Sequence, residues 1–95
     1  MTPGYHDDKQ KLIARLRRIE GQVRGLQRMI AEDTYCIDVL TQVAAVSKGL
    51  QGVGVQLLDE HLQHCVAGAA EAGNHERTEA LVHEATKAVE RLLRA

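Results

Sequence analysis

The sequence predicts an all-α protein, and three observations carry that reading. Apolar residues recur at steps of three and four along most of the chain, no segment alternates as a half-buried strand does, and the only proline among 95 residues is Pro3. A chain of this length makes one domain, 1–95. Its apolar share is 44%, yet it has no Phe, no Trp and only two Tyr, and much of the remainder is Ala, so one copy builds a thin core and self-association is the natural remedy.

The first helix is set by Leu12, Leu16, Ile19, Val23, Leu26 and Ile30, which follow one another at alternating steps of four and three and share one stripe of a helix. Glu32-Asp33-Thr34 interrupts the pattern, and Asp33 or Thr34 suits the cap of the next helix, accepting a hydrogen bond from its free backbone N–H groups. The second series, Cys36, Val39, Val43, Val46, Leu50, Val53 and Leu57, keeps the same steps and reaches His61 and Cys65 at two further steps of four. It predicts one long helix from about Tyr35 to about Ala72, antiparallel to the first. Gly73-Asn74 stops it, because both residues tolerate the left-handed conformation that closes a helix end. Leu81, Ala85, Ala88 and Leu92 mark one side of a third helix, about Arg77 to Leu93.

Charge is distributed unevenly behind a net value of -1. Residues 1–30 hold seven Lys/Arg against three acids, residues 31–76 hold one base against seven acids, and the remainder is slightly basic. A uniformly polybasic protein is excluded, and the first helix is a basic arm. No apolar run approaches the roughly 20 residues that span a bilayer, and the first ten residues are polar where a secretory signal is apolar, which points to the cytoplasm. In that reducing compartment Cys36 and Cys65 are thiols rather than a structural staple, so metal binding and redox sensing both come into view.

Helix geometry makes the cysteines informative. His61 and Cys65, four apart, share a helix face with Cβ atoms about 6 Å apart, near enough to grip one ion. Cys36 lies roughly 37 Å away along the same axis, from the rise of about 1.5 Å per residue, and cannot join them within one straight helix. Two copies of the helix packed antiparallel in a dimer bring Cys36 of one chain level with His61 and Cys65 of the other, and symmetry makes the site twice. The dyad falls near Gly49-Leu50, where Gly49, Gly52 and Gly54 permit close backbone approach. Two plainer readings stand beside this one: buried cysteines with a hydrogen-bonded core histidine, or a hairpin broken at the glycines that returns Cys36 to Cys65 within one chain.

The stretch Arg15-Leu16-Arg17-Arg18-Ile19-Glu20-Gly21-Gln22-Val23-Arg24-Gly25, then Asp33-Thr34-Tyr35-Cys36-Ile37-Asp38-Val39-Leu40-Thr41-Gln42, then His61-Leu62-Gln63-His64-Cys65, resembles the CsoR/RcnR family of bacterial metal-responsive repressors, and its copper-sensing branch most. The resemblance covers nearly the whole chain. It implies an antiparallel helical hairpin that dimerises into a four-helix bundle, a dimer of dimers, and a Cu(I)-responsive repressor that binds operator DNA when metal-free and releases it on Cu(I) binding. Ligand identity separates the branches, and Cys36, His61 and Cys65 read as the copper pattern: two thiolates and one imidazole form a soft three-coordinate set, whereas structural zinc seeks a fourth ligand. His6 keeps a nickel-responsive repressor open as the alternative, and a cytosolic copper-binding or storage protein is another. The resemblance further implies an outer shell of Tyr35 and a C-terminal glutamate, for which Glu79 and Glu84 both stand, while His64 reads as a surface residue.

DNA binding rests on charge, since no reading helix has a recognisable motif. Lys9, Lys11, Arg15, Arg18 and Lys48 are the candidate phosphate contacts, and four copies of the basic arm in a tetramer give steeply salt-dependent affinity. Basic positions that the family carries late in the second helix read Gly52 and Val55 here. An enzyme is the rival from another class, a thiol oxidoreductase using Cys36 and Cys65. No Cys-x-x-Cys, no phosphate loop after a strand and no nucleophile triad supports it, so the chain reads as a non-enzyme.

Overall fold

The computed structural model describes residues 3–94. A 3-10 turn, His6–Asp8, leads into α1, Lys9–Ala31; α2 runs Cys36–His61; a π turn, Leu62–Val66, continues without a break into α3, Ala67–Glu71; and α4 is His75–Arg94. No strand occurs among the described residues. The predicted long second helix is thus present over 36–71, with a π turn inside it in which the Ala67 N–H donates to the Leu62 carbonyl five residues back.

Both interruptions of the helical chain use the same device. Asp33 lies in the left-handed region at φ 57°; its N–H donates to the Ile30 carbonyl at 3.2 Å, and the Thr34 N–H donates to the Met29 carbonyl at 2.9 Å. This is a Schellman closure of α1. Asp33 therefore ends the first helix instead of capping the second, because a short polar residue tolerates the left-handed backbone that a branched apolar one does not. The entry to α2 falls to Tyr35, whose carbonyl accepts from the Asp38 and Val39 N–H groups. Gly73, at φ 73°, repeats the closure behind α3, and Asn74 caps α4: its Oδ1 accepts from the Arg77 N–H at 3.0 Å.

Packing divides the described chain into two compact units, residues 9–53 and residues 3–8 with 54–94. In the first unit, Leu12 and Ile19 of α1 bury against Val46 and Val53 of α2, with Leu26 beside them. The pairing is antiparallel, since Arg15 meets Gly52 and Ile19 meets Gly49. Each of these α2 positions is small for a reason within the chain. A Cβ at Gly49 would lie 3.3 Å from the Ile19 side chain, and one at Gly52 would lie 3.1 Å from the Arg15 guanidinium. In the second unit a Cβ at Gly54 would lie 3.1 Å from Leu92. The glycine cluster expected at a dimer crossing makes room for neighbours of the same chain, so it does not by itself argue for a second copy.

Half of each apolar seam is left uncovered in the first unit. Along α1, Leu12 and Ile19 are buried while Leu16, Val23 and Ile30 are exposed; along α2, Val46 and Val53 are buried while Val43 and Leu50 are exposed. The exposed residues recur at steps of seven, which gathers them on one side of each helix.

Candidate metal centre

His61 closes α2 and Cys65 sits in the π turn that follows. Both are half-buried, and both line a groove of about 600 Å³ whose walls are mostly apolar, Leu57, Leu58 and Leu92 among them. Four residues span slightly less than one turn of a π helix, so the imidazole and the thiol stay on one face through the turn. A thiol and an imidazole lining one apolar groove offer sulfur and nitrogen donors, suited to a soft or borderline cation rather than to an oxygen-seeking one.

Glu84 of α4 lines the same groove, whereas Glu79, Tyr35 and Cys36 do not. Cys36 is exposed as the first residue of α2, and Tyr35 just before it is also exposed. Among the described residues no three His, Cys, Asp or Glu side chains of one chain stand close enough to hold a metal ion. His61, Cys65 and Glu84 thus line one groove of a single copy, and Cys36 is not among its lining residues.

Next to His61 lies a carboxyl pair absent from the expectations drawn on sequence. Glu60 is only 8% exposed. Its carboxyl is held above the usual carboxylate range by a hydrogen bond to Asp8, then by burial and by the negative charge of Asp8, while His64 pulls the other way. His64 Nε2 stands 3.5 Å from Glu60 Oε2, so this surface histidine faces an acid. The sequence does hold a signal: Glu60 follows Val46 and Val53 at steps of seven, and an acid on a buried line calls for a partner.

The sequence model of the metal-sensitive transcriptional repressor family matches residues 8–94. The chain belongs to that family. It is 51% identical over 92 residues to the copper-sensing transcriptional repressor RicR of Mycobacterium tuberculosis, covering 97% of this chain and 95% of that one. It is 46% identical over 70 residues to the copper-sensing transcriptional repressor CsoR of Bacillus subtilis, covering 74% and 69%. Among solved structures, the copper-sensing repressor CsoR with Cu(I) from Geobacillus thermodenitrificans superposes with TM-score 0.83 at 39% identity, over 98% of this chain and 94% of that one. The nickel-responsive transcriptional regulator InrS superposes at 0.75 with 42% identity, over 87% and 90%. The resemblance read from residues 15–25, 33–42 and 61–65 is confirmed, as is the all-helical fold, and the family is one of repressors rather than enzymes.

None of the five candidate phosphate contacts is among the groove's lining residues. Lys9, Lys11, Arg15 and Arg18 are exposed on α1, and Lys48 is exposed on α2. The unit formed by 9–53 carries eight Lys/Arg against four Asp/Glu, and a charge excess of that sign suits a phosphate backbone. No helix among the described residues of the repressor is long and apolar enough to cross a membrane.

Proposed function

We propose that this repressor senses Cu(I) in the cytoplasm, holding operator DNA when metal-free and releasing it when Cys36, His61 and Cys65 hold the ion. The observation that carries this reading is the His61–Cys65 pair on one apolar groove, in a chain whose only other cysteine begins the same helix. Bound there, Cu(I) supplies a soft, low-coordinate centre that two thiolates and one imidazole satisfy. Two copies of α2 packed antiparallel supply Cys36 from one subunit and His61 with Cys65 from the other. The uncovered apolar side formed by Leu16, Val23, Ile30, Val43 and Leu50 is what a second copy covers, and pairing of such dimers gives the tetramer. Residues 1–95 then act as one metal-sensing, DNA-binding domain. Glu84, which shares the groove with His61, is preferred to Glu79 as the outer carboxylate, and Tyr35 adjoins the first ligand. Lys9, Lys11, Arg15, Arg18 and Lys48 contact phosphates.

Nickel is the second reading, favoured by His6 and by the likeness to InrS. The test is anaerobic titration of wild type and Cys36→Ala with Cu(I) against a competing chelator, with Ni(II) in parallel, each followed by operator binding. Tight Cu(I) binding that is lost in Cys36→Ala and that releases DNA supports the proposal. Equal Cu(I) affinity in the two proteins sinks the ligand set, and DNA release by Ni(II) alone transfers the reading to nickel.

A further inference from the structure

The segment ahead of α1 lies on the helix end that carries His61. A Cβ at Gly4 would stand 2.8 Å from the Glu60 carbonyl oxygen, 3.1 Å from its carbonyl carbon and 3.2 Å from His61 Cα. All three are backbone atoms that cannot swing aside, so only glycine fits. One residue on, Tyr5 lines the groove that His61 and Cys65 line. Three residues further, Asp8 shares a hydrogen bond with the buried Glu60. The segment is itself shaped into a turn, with the His6 N–H donating to the Pro3 carbonyl at 3.1 Å and the Asp8 N–H to the Tyr5 carbonyl at 3.0 Å. Three separate points, at Gly4, Tyr5 and Asp8, thus tie one short segment to one helix end.

We infer that residues 3–8 are a strap over the metal-ligand pair, with Gly4 as its seat and the Tyr5 ring as its cover, and that the strap sets how fast solvent, competing thiols and the metal itself reach His61 and Cys65. This rests on the proposal that those two residues hold the metal. Gly4 and Tyr5 are positioning residues in this scheme and donate nothing to the ion. A cover present both with and without metal slows entry and exit together, so its removal changes rates far more than equilibrium affinity.

The decisive measurement uses metal-free protein. In Cys36→Ala, where Cys65 is the only thiol, alkylation by a maleimide reports access to the groove directly. Gly4→Ala and Tyr5→Ala added to that background should each speed alkylation of Cys65 about tenfold, the opening of a locally held segment. Tyr5→Phe should keep the slow rate because the ring is retained, and far-ultraviolet circular dichroism checks that all variants stay helical. In the otherwise wild-type chain, Gly4→Ala and Tyr5→Ala should pass Cu(I) to a chromophoric chelator faster by a similar factor. Alkylation rates unchanged in both Gly4→Ala and Tyr5→Ala overturn the strap. If the wild-type chain holds no Cu(I), the metal reading fails on its own, and the alkylation rates still decide whether the strap covers Cys65.

Discussion

The two compact units of this repressor are made of the same helical material and differ in charge and in what they leave open. Residues 9–53 carry eight Lys/Arg against four Asp/Glu, bury one side of their apolar seam and expose the other. Residues 3–8 with 54–94 carry four Lys/Arg against nine Asp/Glu, and their opening is a groove holding a thiol, an imidazole and a carboxylate. The first composition suits DNA and a second copy, the second a cation. On the proposed assignment the phosphate contacts all fall in 9–53 and the donors His61 and Cys65 in the other unit, so the metal is not bound by the residues that meet DNA. The proposal then routes release through a change in how α1 is presented, and linkage requires DNA to weaken metal binding by the factor by which metal weakens DNA binding.

The largest effect that sharpens this contrast is expected at the proposed donors. Cys65→Ala should lower Cu(I) affinity on the order of a thousandfold, since one of three strong donors is gone, while metal-free operator affinity stays near wild type. Chelator competition and fluorescence anisotropy with labelled DNA read the two quantities on one preparation. An equal loss of DNA affinity would mean that the roles are not separated between the two units.

Next in size is the seam of the basic unit. Ile19→Ala removes a buried side chain and should cost about 2–4 kcal/mol in urea unfolding. Leu16→Ala, one turn away on the exposed side, should leave the packing of a single copy nearly unchanged and instead raise the concentration at which the chain associates, read by sedimentation velocity. If both variants lowered stability equally with no change in association, the exposed side would not be the surface that a second copy covers.

What can be read from the sequence depends on whether the determinant is local. The steps of three and four locate each long helix because burial of one stripe is a property of neighbouring residues, and Gly73-Asn74 announces a break through backbone preference alone. Asp33 misleads as to which helix it serves, because an aspartate acts both as a cap ahead of a helix and as a left-handed residue behind one. The π turn at Leu62–Val66 leaves no mark, since none of its residues demands the wider winding. The His61–Cys65 pair is legible from its spacing, whereas the choice between Glu79 and Glu84 requires knowing which side of α4 faces the groove. Gly4 is invisible for the strongest reason: its constraint comes from backbone at Glu60 and His61, far along the chain, and no local pattern encodes such an approach.

A smaller effect is expected from the cations. Replacing Arg15 and Arg18 with Ala should weaken metal-free operator binding about tenfold at 0.1 M salt and reduce the dependence of log affinity on log salt by roughly 0.9 for each phosphate that these arginines neutralise. Chelator competition should show Cu(I) affinity nearly unchanged. Weakening without any change in the salt slope would assign these arginines to shaping the hairpin, where Arg15 already lies over Gly52, rather than to DNA.

The smallest effect tests the acidic unit by pH. The Glu60 carboxyl binds its proton more tightly in the folded chain than in the unfolded one, because its hydrogen bond to Asp8 and its burial favour the neutral form. A group raised in this way contributes stability that is complete below the ordinary carboxylate range and is lost as pH rises through the raised value, when two facing carboxylates repel. Thermal unfolding of the metal-free protein should therefore show a fall in Tm across weakly acidic pH to which Glu60 contributes. Glu60→Gln keeps a neutral hydrogen-bond donor toward Asp8 at every pH, so that part of the fall should vanish and the variant should match or exceed wild type near neutrality. His64 bears on the same balance, since its protonated form draws Glu60 toward the carboxylate at the acidic end. If the pH dependence of Tm survived Glu60→Gln intact, the shared proton would not be what fastens Asp8 to the end of α2.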